Sequence, residues 1–287
     1  MKQSLFARWQ ANFWAGLAIV LPAVVSVAAL IWLFGTVATI TDTLLIFLPR
    51  GWTHFGVQLG IWLGFYVSYL AVRSEVDQNP AVAKWNGHQV IRFEQRHIHH
   101  LFELTAQRIV DSSHFLLTAA AWTYWNSEFT VIGLTLLWVY LRRHERFARF
   151  RNAILLANLI GLVGYFLMPT APPWMFPKQG FVGGVNHSSE LIHTLGNQYA
   201  AMPSLHAADA LIVGYCLALS CRRLWAKALW VMWPLWVWFC VVATANHYVL
   251  DVLAGIVLAV AALLTTALAP RLFGRLRAVG PSIANLL

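Results

Sequence analysis

The sequence predicts an all-α fold, a polytopic membrane helical bundle, and three observations carry that prediction. The chain is 59% hydrophobic and 11% charged, whereas soluble domains run at roughly 45–50% apolar and about 25% charged. Its apolar residues gather into runs free of Asp, Glu, Lys and Arg, and a run of about 20 such residues crosses a bilayer. Its basic residues crowd the ends of those runs, the pattern of segments kept on the cytoplasmic side.

The first run, 13–41, follows Lys2 and Arg8 and superficially resembles a signal peptide. It is about twice the usual length of such a region and no small-x-small site ends it, so a retained segment is expected. The second run is 56–72. Between them and the next span lies 79–112, with its charges and "EQRHIHH". This stretch is too polar to cross and is expected to form an amphipathic helix at the interface. The histidines of "RHIHH" have spacing reminiscent of a metal site, but on such a helix they read as a solvated face. The run 112–141 carries only His114 and Glu128, and it should descend to Arg142.

Arg142, Arg143, Arg146, Arg149 and Arg151 then crowd one connection. Arg222, Arg223 and Lys227 fill a second, and Arg271, Arg275 and Arg277 follow the last run. With these clusters in the cytoplasm, 152–170 runs outward, 203–221 returns, 228–246 goes out and 252–270 comes back. The connection 171–202 therefore lies outside, where its prolines and glycines predict a functional loop or lid rather than a helix. The parity of 13–41 stays open. A net charge of +9 so distributed argues against nucleic acid as a partner. Fifteen tryptophans suit interfacial anchoring. Cys216, Cys221 and Cys240 show neither metal-knuckle nor loop-disulfide spacing.

Two outer span ends carry ionisable residues. In "AAMPSLHAADAL", residues 200–211, Pro203 suits a first helical turn, where its missing N–H costs nothing. The amides of Ser204 and Leu205 then lie free at a helix N-terminus, a site that attracts phosphate. Ser204 adds a hydroxyl and His206 sits one turn in, with Asp209 a turn further to tune it or to pair with a neighbouring helix. In "ATANHYVLDVLAG", residues 243–255, His247 and Asp251 stand four apart and would share a helical face. The carboxylate would fix the imidazole tautomer and leave the other nitrogen free to attack or take a proton. Ionisable groups within membrane spans are functional candidates. A histidine nucleophile, its aspartate, a second histidine and a phosphate-seeking helix end together suit phosphoryl transfer. The same side chains also suit a zinc ion, or the histidines a haem, and a catalytically silent scaffold or channel is a further alternative.

"PSLH" followed by "NHYVLD" resembles the second and third motifs of the type 2 phosphatidic acid phosphatase superfamily. The resemblance covers 126–270 and is strongest at 197–209 and 244–255. It implies a six-helix membrane core in 56–287, with 1–55 as an N-terminal membrane segment. It also implies metal-independent chemistry on lipid phosphates with no cofactor, through a phosphohistidine at His247, with Asp251 as its partner and His206 as general acid. The first-motif cations of the family phosphatases are missing near "PTAPPW", and Val241 stands where their third motif has arginine. The pattern "PPW … GNQYAAMPSLH … NHYVLD" is more similar to the inositolphosphotransferase branch, which includes inositol phosphorylceramide synthase and also lacks that arginine. The resemblance thus implies transfer of a phospho-head-group from a phospholipid to an alcohol. The alternative is hydrolysis of a phospholipid or polyprenyl phosphate by water. Asn197, Ser204 and Trp174 are the candidate substrate contacts, the last as a wall for a head group. The active site is expected to face the extracytoplasmic side of the cell membrane.

Overall fold

The structure is a computed structural model and describes residues 48–76, 80–185 and 198–279. The expected segment 13–41 and the candidate Asn197 lie outside the described residues. Among the described residues the regular elements are helices, joined by one isolated bridge between Thr170 and Ala200. They are α1 (Gly51–Val76), α2 (Pro80–His97), α3 (Phe102–Asp111), α4 (His114–Glu128), α5 (Thr130–Arg142), α6 (His144–Leu167), α7 (Leu205–Ser220), α8 (Leu224–Ala243) and α9 (Val249–Val279).

Among the described residues, four stretches are long and apolar enough to cross a membrane: Gly51–Val72, His144–Leu167, Leu224–Ala243 and Val249–Ala269. Thr130–Arg142 and Leu205–Ser220 are shorter apolar helices. Their outward faces present Leu63, Val163, Phe166, Leu229, Val231 and Val257, all more than half exposed. Such surface is stable against acyl chains and would not be against water. The chain is an integral membrane protein.

The centre of the bundle is α7, built almost wholly from small and aliphatic residues and buried along most of its length. It packs against α6, α8 and α9, where Ile212, Val213 and Leu217 meet Phe150, Ile154, Leu258 and Ala259. In a bilayer the driving force for such packing is close contact, which small residues permit. At Gly161 an added Cβ would fall 2.5 Å from Leu205 Cδ2. At Gly214 it would fall 2.6 Å from the Trp230 carbonyl and 2.9 Å from Pro234 Cδ. Pro234 lies inside α8 and supplies no N–H, so the carbonyl four residues before it, that of Trp230, loses its usual intrahelical donor. Gly255 is tightest of all, its α-carbon against the Ser204 carbonyl and the Ala207 methyl.

Several boundaries differ from the sequence reading, each for a physical reason. Of the arginines expected in a connection, Arg146, Arg149 and Arg151 belong to α6, which begins at His144, while Arg142 ends α5. Their long stems are good helix formers and their heads reach water from a helix end. The run 112–141 breaks at Phe129, leaving Glu128 at the end of α4. The polar stretch 79–112 forms two helices, and at the turn between them His99 adopts φ 57°. Helix α2 is amphipathic, burying Ala83, Asn86, Gly87, Val90, Ile91 and Glu94. His97, His99 and His100 of "RHIHH" are exposed. The loop that follows α6 is anchored over residues 171–184. Ala171 N–H donates to Ala83 O (2.9 Å), Val182 N–H to Gln107 Oε1 (3.1 Å) and Gly184 N–H to Thr244 O (3.1 Å).

Gly255→Ala should cost roughly 1–3 kcal/mol of stability, because a backbone carbonyl cannot rotate away. Gly60→Ala, with nothing within 4 Å of the new methyl, should cost nothing. The check is the fraction of each variant that stays monodisperse in detergent after graded heating.

Candidate active site

The two motifs meet at one end of α7 and α9. Ser204 caps α7, its side chain accepting from Ala207 N–H at 3.3 Å. The helix therefore starts at Leu205, two residues later than a Pro203 start. The amides expected to be free are not. Ser204 N–H donates to the Asp251 backbone carbonyl at 3.0 Å, and Leu205 N–H lies against the Tyr165 hydroxyl. The start of α7 is thus spent on protein partners, and Ser204 itself is fully buried.

His247 does not lie on a helix. It sits in the turn after α8, where the amides of Asn246 and His247 both donate to Val241 O at 3.1 Å. Ala245 turns the chain there with φ 58°, and Asn246 Nδ2 donates to Thr244 Oγ1 at 2.8 Å. The position where family phosphatases have arginine is thus a buried valine whose carbonyl anchors the His247 turn.

The His247 ring is oriented chiefly by backbone. Its Nδ1 lies 2.8 Å from the Ala201 carbonyl and 3.6 Å from Asp251 Oδ2. A carbonyl only accepts, so Nδ1 carries the hydrogen and Nε2 is left with its lone pair. Asp251 is fully buried and its Oδ2 accepts from Tyr248 N–H at 2.9 Å. It therefore caps the turn while its charge faces the imidazole. The expectation of a shared helical face is corrected: proximity comes from the cap, not from helical register.

His206, on the first turn of α7, has its ring centroid 5.5 Å from that of His247. Its ring stacks on Tyr124 at 4.5 Å and lies against that residue's backbone carbonyl. Its Nε2 is 3.3 Å from Glu128 Oε2. Sequence reasoning passed over Glu128 as one of two ionisable groups in a span. Its position just before the break at Phe129 is the signal that could have singled it out. Asp209 does not reach His206; Asn158 Nδ2 donates to both of its oxygens, at 2.9 and 3.1 Å. Trp174 is half-buried beside the site, its backbone N–H donating to Ala245 O at 3.0 Å.

A largely apolar cavity of about 430 Å³ lies between α1, α5 and α6. Phe55, Trp62, Phe65 and Leu136 line it, and Glu128, Asn158 and Asp209 supply polar lining. Glu128 thus touches both the cavity and His206. The arrangement offers an unprotonated ring nitrogen on His247, an acid–base pair in His206 and Glu128, and an apolar chamber bordering that pair.

The profile of a family described as PAP2 superfamily matches residues 88–265. Phosphoinositol dihydroceramide synthase of Bacteroides thetaiotaomicron is 31% identical over 140 residues, covering 42% of this chain and 46% of that protein. The match thus spans less than half of that relative's length. No solved structure matches the chain.

The tautomer can be read directly. In ¹⁵N spectra of histidine-labelled protein, with His247→Asn to assign the signal, the neutral ring should carry its hydrogen on Nδ1. A bare Nδ1 would contradict the bond to Ala201.

Proposed function

The chain belongs to the PAP2 superfamily, and from that premise we propose that it moves a phospho-head-group between membrane lipids through a phosphohistidine at His247. One observation carries the reading: the His247 ring, fixed by Ala201 with its Nε2 free, faces His206 across 5.5 Å. The likeness to a phosphoinositol dihydroceramide synthase supports phosphatidylinositol as donor and a lipid hydroxyl as acceptor.

In the first step the Nε2 lone pair of His247 attacks the phosphodiester phosphorus in line. The P–N bond forms, the bond from phosphorus to the diacylglycerol oxygen breaks, and His206 delivers a proton to that oxygen. In the second step the acceptor hydroxyl attacks the phosphohistidine, its proton passes to His206, and the P–N bond breaks. Splitting the transfer this way is covalent catalysis and gives ping-pong kinetics. Asp251 stabilises the positive charge that the ring gains on attack. Glu128 does the same for His206 and holds its Nε2 in place. Trp174 borders the head group, with Asn197 a further candidate contact, whereas Ser204, expected to touch the phosphate, is buried and caps α7 instead. The basic clusters at the opposite ends of α5–α9 support an extracytoplasmic site. Water in place of the lipid hydroxyl would release the head group as a soluble phosphate, and with a lipid monophosphate as donor the same steps would be a phosphatase reaction.

Purified protein in lipid nanodiscs, given head-group-labelled phosphatidylinositol and a long-chain amide-linked diol, should form a labelled product lipid. Release of soluble inositol phosphate without lipid product would support hydrolysis instead. His247→Ala should fall to background, and His206→Ala should lose about 10²–10⁴-fold. Full turnover in His247→Ala sinks the mechanism. Glu128→Gln keeps the shape but removes the charge, and should lower kcat by about tenfold or more.

A further inference from the structure

Helix α9 begins two residues after His247, so its first amides decide how the His247 turn is held. The opening turn of any helix leaves N–H groups without intrahelical partners. Here three consecutive amides meet three different carboxylates. Tyr248 N–H donates to Asp251 Oδ2 (2.9 Å), Val249 N–H to Glu103 Oε1 (2.7 Å) and Leu250 N–H to Glu94 Oε1 (2.9 Å). The glutamates arrive from other elements, Glu94 from the end of α2 and Glu103 from the start of α3, and each is 1% exposed. Their second oxygens, Oε2 of both residues, are buried with no donor among the described residues.

Two adjoining carboxylates in so dry a place do not both keep a full charge. One proton removes the difficulty and both orphan atoms at once, because a protonated Glu94 donates to Glu103. We propose that Glu94 and Glu103 share a proton and serve together as positioning residues for His247, clamping the first turn of α9 so that the imidazole stays seated on Ala201. The titratable groups facing the pair are Asp251 and Tyr248, both at the start of α9. The Tyr248 hydroxyl donates to Ala171 O at 3.0 Å, and burial followed by the three carboxylates pushes its ionisation up.

Burial first, and Glu103 second, push Glu94 from the ordinary 4.5 up to about 9. The folded chain therefore keeps a proton that the unfolded chain releases near 4.5. The stabilisation it brings is complete in acid and lost as the pH climbs through about 9. Above that value two like charges oppose each other behind the His247 turn, and the clamp loosens.

The effect on turnover rests on His247 acting as the nucleophile; the shared proton does not, and it is read separately. In infrared difference spectra of the full chain in nanodiscs, a protonated-carboxyl carbonyl band should titrate near pH 9 and vanish in Glu94→Gln. That amide donates to Glu103 and accepts from Leu250 permanently. Glu94→Gln should accordingly keep kcat within about threefold and lose the alkaline fall in rate that the native chain shows. Glu94→Ala strands both partners and should lower kcat about tenfold or more with KM little changed. A native chain without the titrating band overturns the shared proton. An unaltered alkaline limb in Glu94→Gln, or native kcat in Glu94→Ala, overturns the positioning role. If Glu94→Ala does not fold, the band and the Glu94→Gln limb decide the matter. If phosphatidylinositol gives no turnover at all, the functional reading falls while the infrared band still decides the pairing.

Discussion

The site depends on one close approach of backbone to backbone, between the turn that precedes α7 and the turn that precedes α9. Ser204 N–H reaches the Asp251 carbonyl, and the His247 ring reaches the Ala201 carbonyl. Gly255 lies directly on Ser204. Both turns are unwound and largely buried chain, where water does not reach stray amides and carbonyls. They satisfy each other instead, and that exchange sets the distance between the two histidines. Neither helix alone could place its imidazole; the pair of broken ends does.

Much of the fold was legible because a bilayer writes a coarse code. Charge-free runs marked the spans, and His206 and His247 stood out as ionisable groups in apolar surroundings. Helix starts were hidden where the code is weakest. Arg146, Arg149 and Arg151 look like a connection, yet they extend α6 because a helix end lets their stems lie along it while the heads stay wet. The link between His247 and Asp251 was visible, but its form was not. Helical register suggested a direct bond, whereas a turn ending in a cap gives the tautomer to Ala201, a residue with no side-chain polarity to betray it. Glu94, Glu103 and Glu128 were missed because their meaning lies in long-range packing. The scarcity of acidic residues, 11 in 287, was the signal that each of them has a reason to be there.

The acids around this centre also shape how it could meet an anionic lipid. Asp251 and Glu128 each face a histidine, and Val241 occupies the position of a family cation. Within the proposed reaction, charge on phosphate is then met by imidazoles that become positive as the chemistry proceeds, each with a carboxylate behind it. A centre of that kind is strongest at the moment of bond-making and weak toward the resting substrate. It favours the transition state over tight ground-state binding.

The contact of Gly214 with Trp230 and Pro234 bears on how this protein can vary over generations. The proline leaves the Trp230 carbonyl without its usual donor, and the glycine lets that carbonyl rest against α7. Restoring the N–H at 234 alone would draw the carbonyl back into its own helix and open a gap. Enlarging 214 alone would collide with it. The two sites are therefore one unit of inheritance, and the path between this pairing and any other runs through an intermediate that packs worse than either end.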